Sequence, residues 1–141
     1  MTVAIGARSN DNINGRDSGQ CRVFKYDDSR WVQLGQTLIG ERAGDNFGYS
    51  VALSANGLMV IIGAIYNGVS PFRAGDARIF VYGGMEWIQI GGDVGGHAGG
   101  DLFGFSVAIS SDGLTVAIGG TQVGTQDGTQ DSGIARVYQL S

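Results

Sequence analysis

The chain has 141 residues, about one ordinary domain, and its 26 Gly beside a single Pro exclude a collagen-like chain or a Pro-rich linker. At 43% hydrophobic and 16% charged it is too apolar for a disordered tail. The net charge of −4 argues against the basic face of a nucleic-acid binder, and no apolar run reaches the roughly 18 residues that cross a bilayer.

In chain order, the first element is an apolar strand, Val3-Ala4-Ile5-Gly6-Ala7. Its opening lacks the basic stretch of a secretory signal. A polar connection, Arg8–Gln20, leads to a second strand around Arg22-Val23-Phe24, and a third begins at Trp31. Next come Phe47–Leu53, the turn Ser54-Ala55-Asn56-Gly57 and the apolar run Leu58–Ile62. Asn-Gly between apolar runs marks a tight hairpin, because both residues tolerate positive φ. A strand apolar at every position is expected to be buried on both faces. The connection Ile65–Gly75 precedes strands at Ala77–Tyr82 and Glu86–Ile90. The turn returns as Ser110-Ser111-Asp112-Gly113, followed by Val116-Ala117-Ile118-Gly119-Gly120, the connection Thr121–Gly133 and Arg136-Val137-Tyr138.

These elements repeat. Trp31–Gly63 realigns without gaps onto Trp87–Gly119 at a constant offset of 56 residues, with about half of the positions identical. Named by their place in the repeat, the strands are A (Phe-Gly), B (Gly-Ala), C (Arg-Val) and D (Trp). The repeat regions are a partial blade with strands B and C in residues 1–30, then D, A, B and C in 31–86 and in 87–141. Grouped by sheet, the order becomes BCD, ABCD, ABC: ten strands, or about 2.5 blades. The expected fold is all-β, with antiparallel four-stranded β-propeller blades forming a partial propeller. Gly48 and Gly104 are expected at the crowded central axis, and Trp31 and Trp87 in the wider space between blades. A β-solenoid is disfavoured by the recurring hairpins and the long unit.

Phe47-Gly48 and Phe103-Gly104, followed at fixed distance by Gly63-Ala64 and Gly119-Gly120, resemble the FG-GAP repeat of integrin α-chain propellers. Gly6-Ala7 matches the second half of that motif. The wider pattern is similar to FG-GAP-like arrays of large surface proteins. The resemblance implies a cell-surface or extracellular module for recognition, adhesion or scaffolding. Two departures stand out. The third letter of "GAP" is Arg8, Ile65 or Thr121, never Pro, and the A–B connections are too short for the Asp-rich calcium loop of integrin blades.

Candidate sites follow from the loops. Asn10, Asn12, Asn14 and Asp17 offer an oxygen-rich loop that calcium could use, against the simpler reading of an Asx-turn loop. Asp45 and Asp101 precede each Phe-Gly and could meet a ligand, or could accept backbone N–H groups of their own turn. Arg22, Arg78 and Arg136 recur in every C strand, which argues for a structural pair with an acid or carbonyl. His97 has no catalytic partner at diagnostic spacing, Cys21 reads as a small buried residue, and a tetrapeptide micro-repeat at Gly120–Asp131 reads as an unconstrained loop. No cofactor is expected. The expected function is non-enzymatic binding through the long B–C connections, to a protein or glycan. The alternatives are a fragment of a propeller-fold glycan hydrolase or lyase, and a purely structural repeat. Neither nucleic acid nor membrane insertion is expected. The expected partners are further blades of a longer chain or other copies of this one.

Overall fold

A computed structural model describes residues 1–67, 74–121 and 133–141. Parts of the second and third B–C connections, and most of the tetrapeptide micro-repeat, lie outside the described residues. Every regular element described is a β-strand, and the strands form three antiparallel sheets. The first holds β1 (Thr2–Ala7), β2 (Gln20–Tyr26), β3 (Trp31–Gln33) and β4 (Leu38–Ile39), with β3 and β4 both pairing β2. The second runs in the order β5 (Phe47–Leu53), β6 (Met59–Ala64), β7 (Asp76–Tyr82) and β8 (Trp87–Gly95). The third pairs β9 (Ser106–Ile109) with β10 (Thr115–Gly120), and β10 with β11 (Ile134–Gln139). These sheets are the BCD, ABCD and ABC sets of partial propeller blades.

Period-2 alternation lets the second sheet serve two cores. On β6, Val60 and Ile62 join Cys21, Val23, Leu38, Phe47 and Phe80 between the first and second sheets. Their neighbour Ile61 points the other way and joins Ala77, Ile79, Phe103, Val116 and Ile118 between the second and third. All three β6 residues are fully buried, as expected of a strand covered on both faces. Cys21 is buried in the first core, and burial pushes its thiol up to about 12.

Three details depart from the sequence reading. The first D strand is split in two around Gly35, at φ 70°, and the second carries a register shift at the equivalent place, after Gly91 at φ 67°. The second D strand runs on to Gly95 rather than ending at Ile90, and strand B begins at Met59 and ends at Ala64. The inner glycines mark close backbone contacts between neighbouring sheets. A Cβ on Gly48 would run into the Gln20 carbonyl oxygen, and one on Gly6 into the Gly48 carbonyl. Gly63 and Gly104 repeat that contact between the second and third sheets. The two halves of the repeat motif therefore meet across the blade junction: the Phe-Gly of one sheet rests on the Gly-Ala of the sheet before it.

The outer strands lock the same junction. Trp87 is buried against the Gly35 kink, and its Nε1 donates to the Leu34 carbonyl at 2.7 Å. The Gln36 amide pairs with both backbone groups of Trp87, each at 2.8 Å. Trp87 thus fills the space between blades as expected, whereas its repeat partner Trp31 is 43% exposed.

The A–B turns match the sequence reading. Gly57 and Gly113 take φ 71° and 80°. In each turn the side chain before Gly accepts from the residue after it: Leu58 N donates to Asn56 Oδ1 at 3.0 Å, and Leu114 N to Asp112 Oδ1 at 2.9 Å. Gly57→Val and Gly113→Val should each cost about 1–3 kcal/mol through backbone strain. The new Cβ would also press on Thr2 or Met59. Urea denaturation checks this, and an unchanged midpoint would disprove the turn's dependence on Gly.

Candidate functional site

Strand direction puts the B–C and D–A connections at one end of the sheets, and the A–B and C–D turns at the other. Hydrogen bonds tie the two kinds of connection together. Asn14 Nδ2 donates to the Gly40 carbonyl at 2.7 Å, Asn46 Nδ2 to the Asp17 carbonyl at 3.1 Å, and Tyr66 N to the Asp45 carbonyl at 3.3 Å.

Within the first B–C connection, most hydrogen bonds of the candidate calcium loop are made within the loop itself, while the Asn14 side chain reaches out to Gly40. Asn12 Nδ2 donates to the Gly19 carbonyl, Asn12 Oδ1 accepts from Asn14 N, and Asp17 N donates to Asp11 Oδ1, each at 2.9 Å. The Asn10 carbonyl accepts from Gly19 N at 3.0 Å. Asp17 takes φ 52° and Gly15 φ 117°, which turn the chain sharply. Among the described residues no three His, Cys, Asp or Glu side chains come together as a metal-holding group. The thermal midpoint should therefore stay within about a degree between chelator and millimolar calcium. A calcium-induced rise of several degrees would show an occupied site.

Asp45 and Asp101 are both 3% exposed and make the same contacts. Asp45 Oδ2 accepts from Glu41 N at 3.1 Å and Arg42 N at 2.8 Å; Asp101 Oδ2 accepts from His97 N at 2.9 Å and Ala98 N at 3.0 Å. Each carboxylate closes its own D–A turn, and burial holds that of Asp45 above the usual carboxylate range.

The recurring arginines divide by context. The Arg78 guanidinium lies over the Phe47 ring, 5.1 Å from its centroid, and Arg136 lies over Phe103 at 5.2 Å. The Phe of the A strand is thus the platform for the Arg of the same sheet. Arg136 also reaches the Gly95 carbonyl at 3.4 Å. Arg22, in a sheet with no A strand, is exposed. The acidic partners expected from sequence are present at Arg78, where Glu41, Asp76 and Asp93 approach to 3.5, 3.6 and 3.5 Å.

Those three carboxylates line a cleft of about 440 Å³, open at the end that carries the B–C and D–A connections. Its walls also include Asn67, His97 and the backbones of Gly75, Gly95 and Gly96. Asp76 is 5% exposed, and its Oδ2 accepts from Asn67 Nδ2 at 2.5 Å. Burial, with Asp93 and Asp45 adding repulsion against the attraction of Arg78, pushes the Asp76 carboxyl up to about 7. Sequence reasoning passed over this cluster, although one signal was visible. The residue two before the repeated Arg is Gln20, Asp76 and Ile134 in the three C strands, so the acid belongs to one blade only.

Antiparallel sheets of three to four strands stacked face to face, with the Phe-Gly segments of the second and third resting on the Gly-Ala strand of the one before, define a repeat protein of the β-propeller class. Residues 40–80 match the family model of the FG-GAP repeat, and the chain carries an FG-GAP-type repeat there. The matched segment contains Phe47-Gly48, Gly63-Ala64 and Arg78. No curated protein matches the chain.

Proposed function

We propose that this chain is a non-enzymatic recognition, adhesion or scaffolding module at the cell surface or outside the cell. Ligand would bind at the end that carries the B–C connections. One observation carries this reading: the strands and their junctions repeat from blade to blade, while the B–C connections at that end differ in length, sequence and charge. The first of them presents Ile13, 91% exposed, and the exposed Arg16 side chain. An apolar and a cationic tip on a braced loop suit a protein or glycan partner. The module needs no metal for this role.

A glycan array and a pull-down with the immobilised chain test the reading. Capture should fall with Ile13→Ser and Arg16→Ser, and persist with Met85→Ser at the opposite end. Blank screens with a folded chain would instead favour a purely structural repeat.

The same chain should self-associate. Ile5 is 55% exposed and Val137 71% exposed, whereas their repeat counterparts Ile62 and Ile79 are buried between sheets. Exposed halves of an interface that is otherwise covered favour contact between copies. Light scattering after size exclusion checks this, and a cooperatively unfolding monomer at tens of micromolar would overturn it.

A further inference from the structure

We infer that the cleft between Glu41, Asn67, Asp76 and Asp93 is a binding site for a neutral polyhydroxylated ligand, a sugar ring presenting adjacent hydroxyl groups. The inference rests on the reading of this end as the recognition end, and adds a place and a ligand chemistry to it.

The argument begins with unmet hydrogen bonds. Asp76 is only 5% exposed, yet its Oδ1 has no hydrogen-bond partner among the described residues. Beside it, Nε and Nη2 of Arg78 are likewise without hydrogen-bond partners there, although that side chain is 3% exposed. Carboxylates stand near the guanidinium at 3.5–3.6 Å, close enough for attraction and too far for good hydrogen bonds. A buried polar atom left unmet is costly, and a structure normally supplies the missing partner from protein, solvent or ligand.

The unmet atoms are of mixed kind, which selects the ligand. A cation would satisfy Asp76 Oδ1 but would face Arg78. An anion would meet Glu41 and Asp93. A hydroxyl group both donates and accepts without adding charge. One hydroxyl can donate to Asp76 Oδ1 while its neighbour engages the Asp93 carboxylate on the rim. A Cβ on Gly95 would meet only the Gly75 carbonyl oxygen, at 3.9 Å, so the wall there is open to a ring, and about 440 Å³ holds one sugar unit. The set occurs once: Gln20 and Ile134 replace Asp76 in the other C strands, and Thr37 stands where Asp93 stands in the repeat.

The test is a titration of isotope-labelled full chain with methyl glycosides of glucose, galactose and mannose, followed by amide NMR. For at least one glycoside the expected result is saturable shifts at Gly95, Gly96, His97 and the Asn67 side-chain amide. Affinity should fall at least about tenfold in Asp76→Ala. Because Asp76 is buried and that variant could unfold, Asp93→Asn on the exposed rim provides a second reading and should weaken binding severalfold. Absence of saturable shifts with all three glycosides, or shifts that neither variant alters, overturns the inference. Tighter saturation by methylammonium or guanidinium would reassign the cleft to a cation and also overturn it. If the glycosides fail while capture still depends on Ile13 and Arg16, the sugar assignment falls and the recognition reading stands.

Discussion

Gly48→Ala should destabilise the chain by about 2–5 kcal/mol, the combined scale of a strained left-handed residue and an overpacked contact. Gly48 takes φ 88°, a conformation that a Cβ opposes, and the added carbon would collide with the Gln20 carbonyl oxygen and sit 3.1 Å from the Ala7 nitrogen. Neither neighbour can yield cheaply. Gln20 and Ala7 are paired with each other in the β1–β2 ladder. Relief requires the first two sheets to part, exposing the core of Val23, Phe47 and Ile62. Gly104→Ala should behave alike at the second junction, where φ is 91° and the new methyl group would collide with the Asp76 carbonyl oxygen. Gly84→Ala is the control. It shares a positive φ of 98° but has no atom within 4 Å, so it carries the strain without the clash. Chemical denaturation should therefore rank both junction variants well below Gly84→Ala. Equal midpoints for all three would mean that the junction does not depend on close backbone approach.

Much of the fold was legible because repetition cancels noise. One copy of Phe-Gly or Asn-Gly says little, but two in register fix the strand order, and the sheets follow it as BCD, ABCD and ABC. The physical role of the motif was not legible. Phe47-Gly48 and Gly6-Ala7 lie in different repeats, and nothing in a linear pattern shows that they touch. The split first D strand was hidden for a similar reason. Gly35 and Gly91 share a positive φ and strand pairing is interrupted after each, but only Gly35 is followed by a Gln, Gln36, that clasps Trp87, where the later copy has Gly92. The site was least legible. Asp45 and Asp101 were visible because they repeat, and their carboxylates close turns. Asp76 and Asp93 do not recur; with Asn67, the counterpart of Asn10, they come from separate elements, so they meet only once the second sheet folds onto the D–A connection bearing Glu41. Repeats reveal what holds a scaffold together, and the residues that differ within them carry its individuality.

Asp76→Asn should stabilise the chain at about pH 8 and change it little at about pH 4. The ordinary Asp value is 3.8, and burial raises that of Asp76 to about 7 in the folded chain. A raised acid binds its proton more tightly when folded, so its stabilising contribution is complete below the unfolded value. That contribution falls as pH rises between the two values and is lost once pH passes the folded one. Each pH unit in that interval is worth about 1.4 kcal/mol, giving an upper bound of about 4 kcal/mol across it. Asp45 is shifted in the same direction and adds to the slope. Asp27 and Asp112 are shifted the other way by turn hydrogen bonds and remain in every variant compared. Asn at position 76 keeps an oxygen for Asn67 Nδ2 but has no charge to bury, so its midpoint should stay flatter between about pH 5 and pH 8. Arg78→Leu should do the reverse. It removes the guanidinium that favours ionised Asp76 and leaves three carboxylates without their shared cation, a loss of about 3–5 kcal/mol at neutral pH. Its deficit should shrink as the solution is acidified and Asp76 takes up a proton. Denaturation midpoints of the three proteins across that pH range decide the matter: parallel curves would show that Asp76 does not titrate with folding, and that the buried network at this junction is held by packing alone.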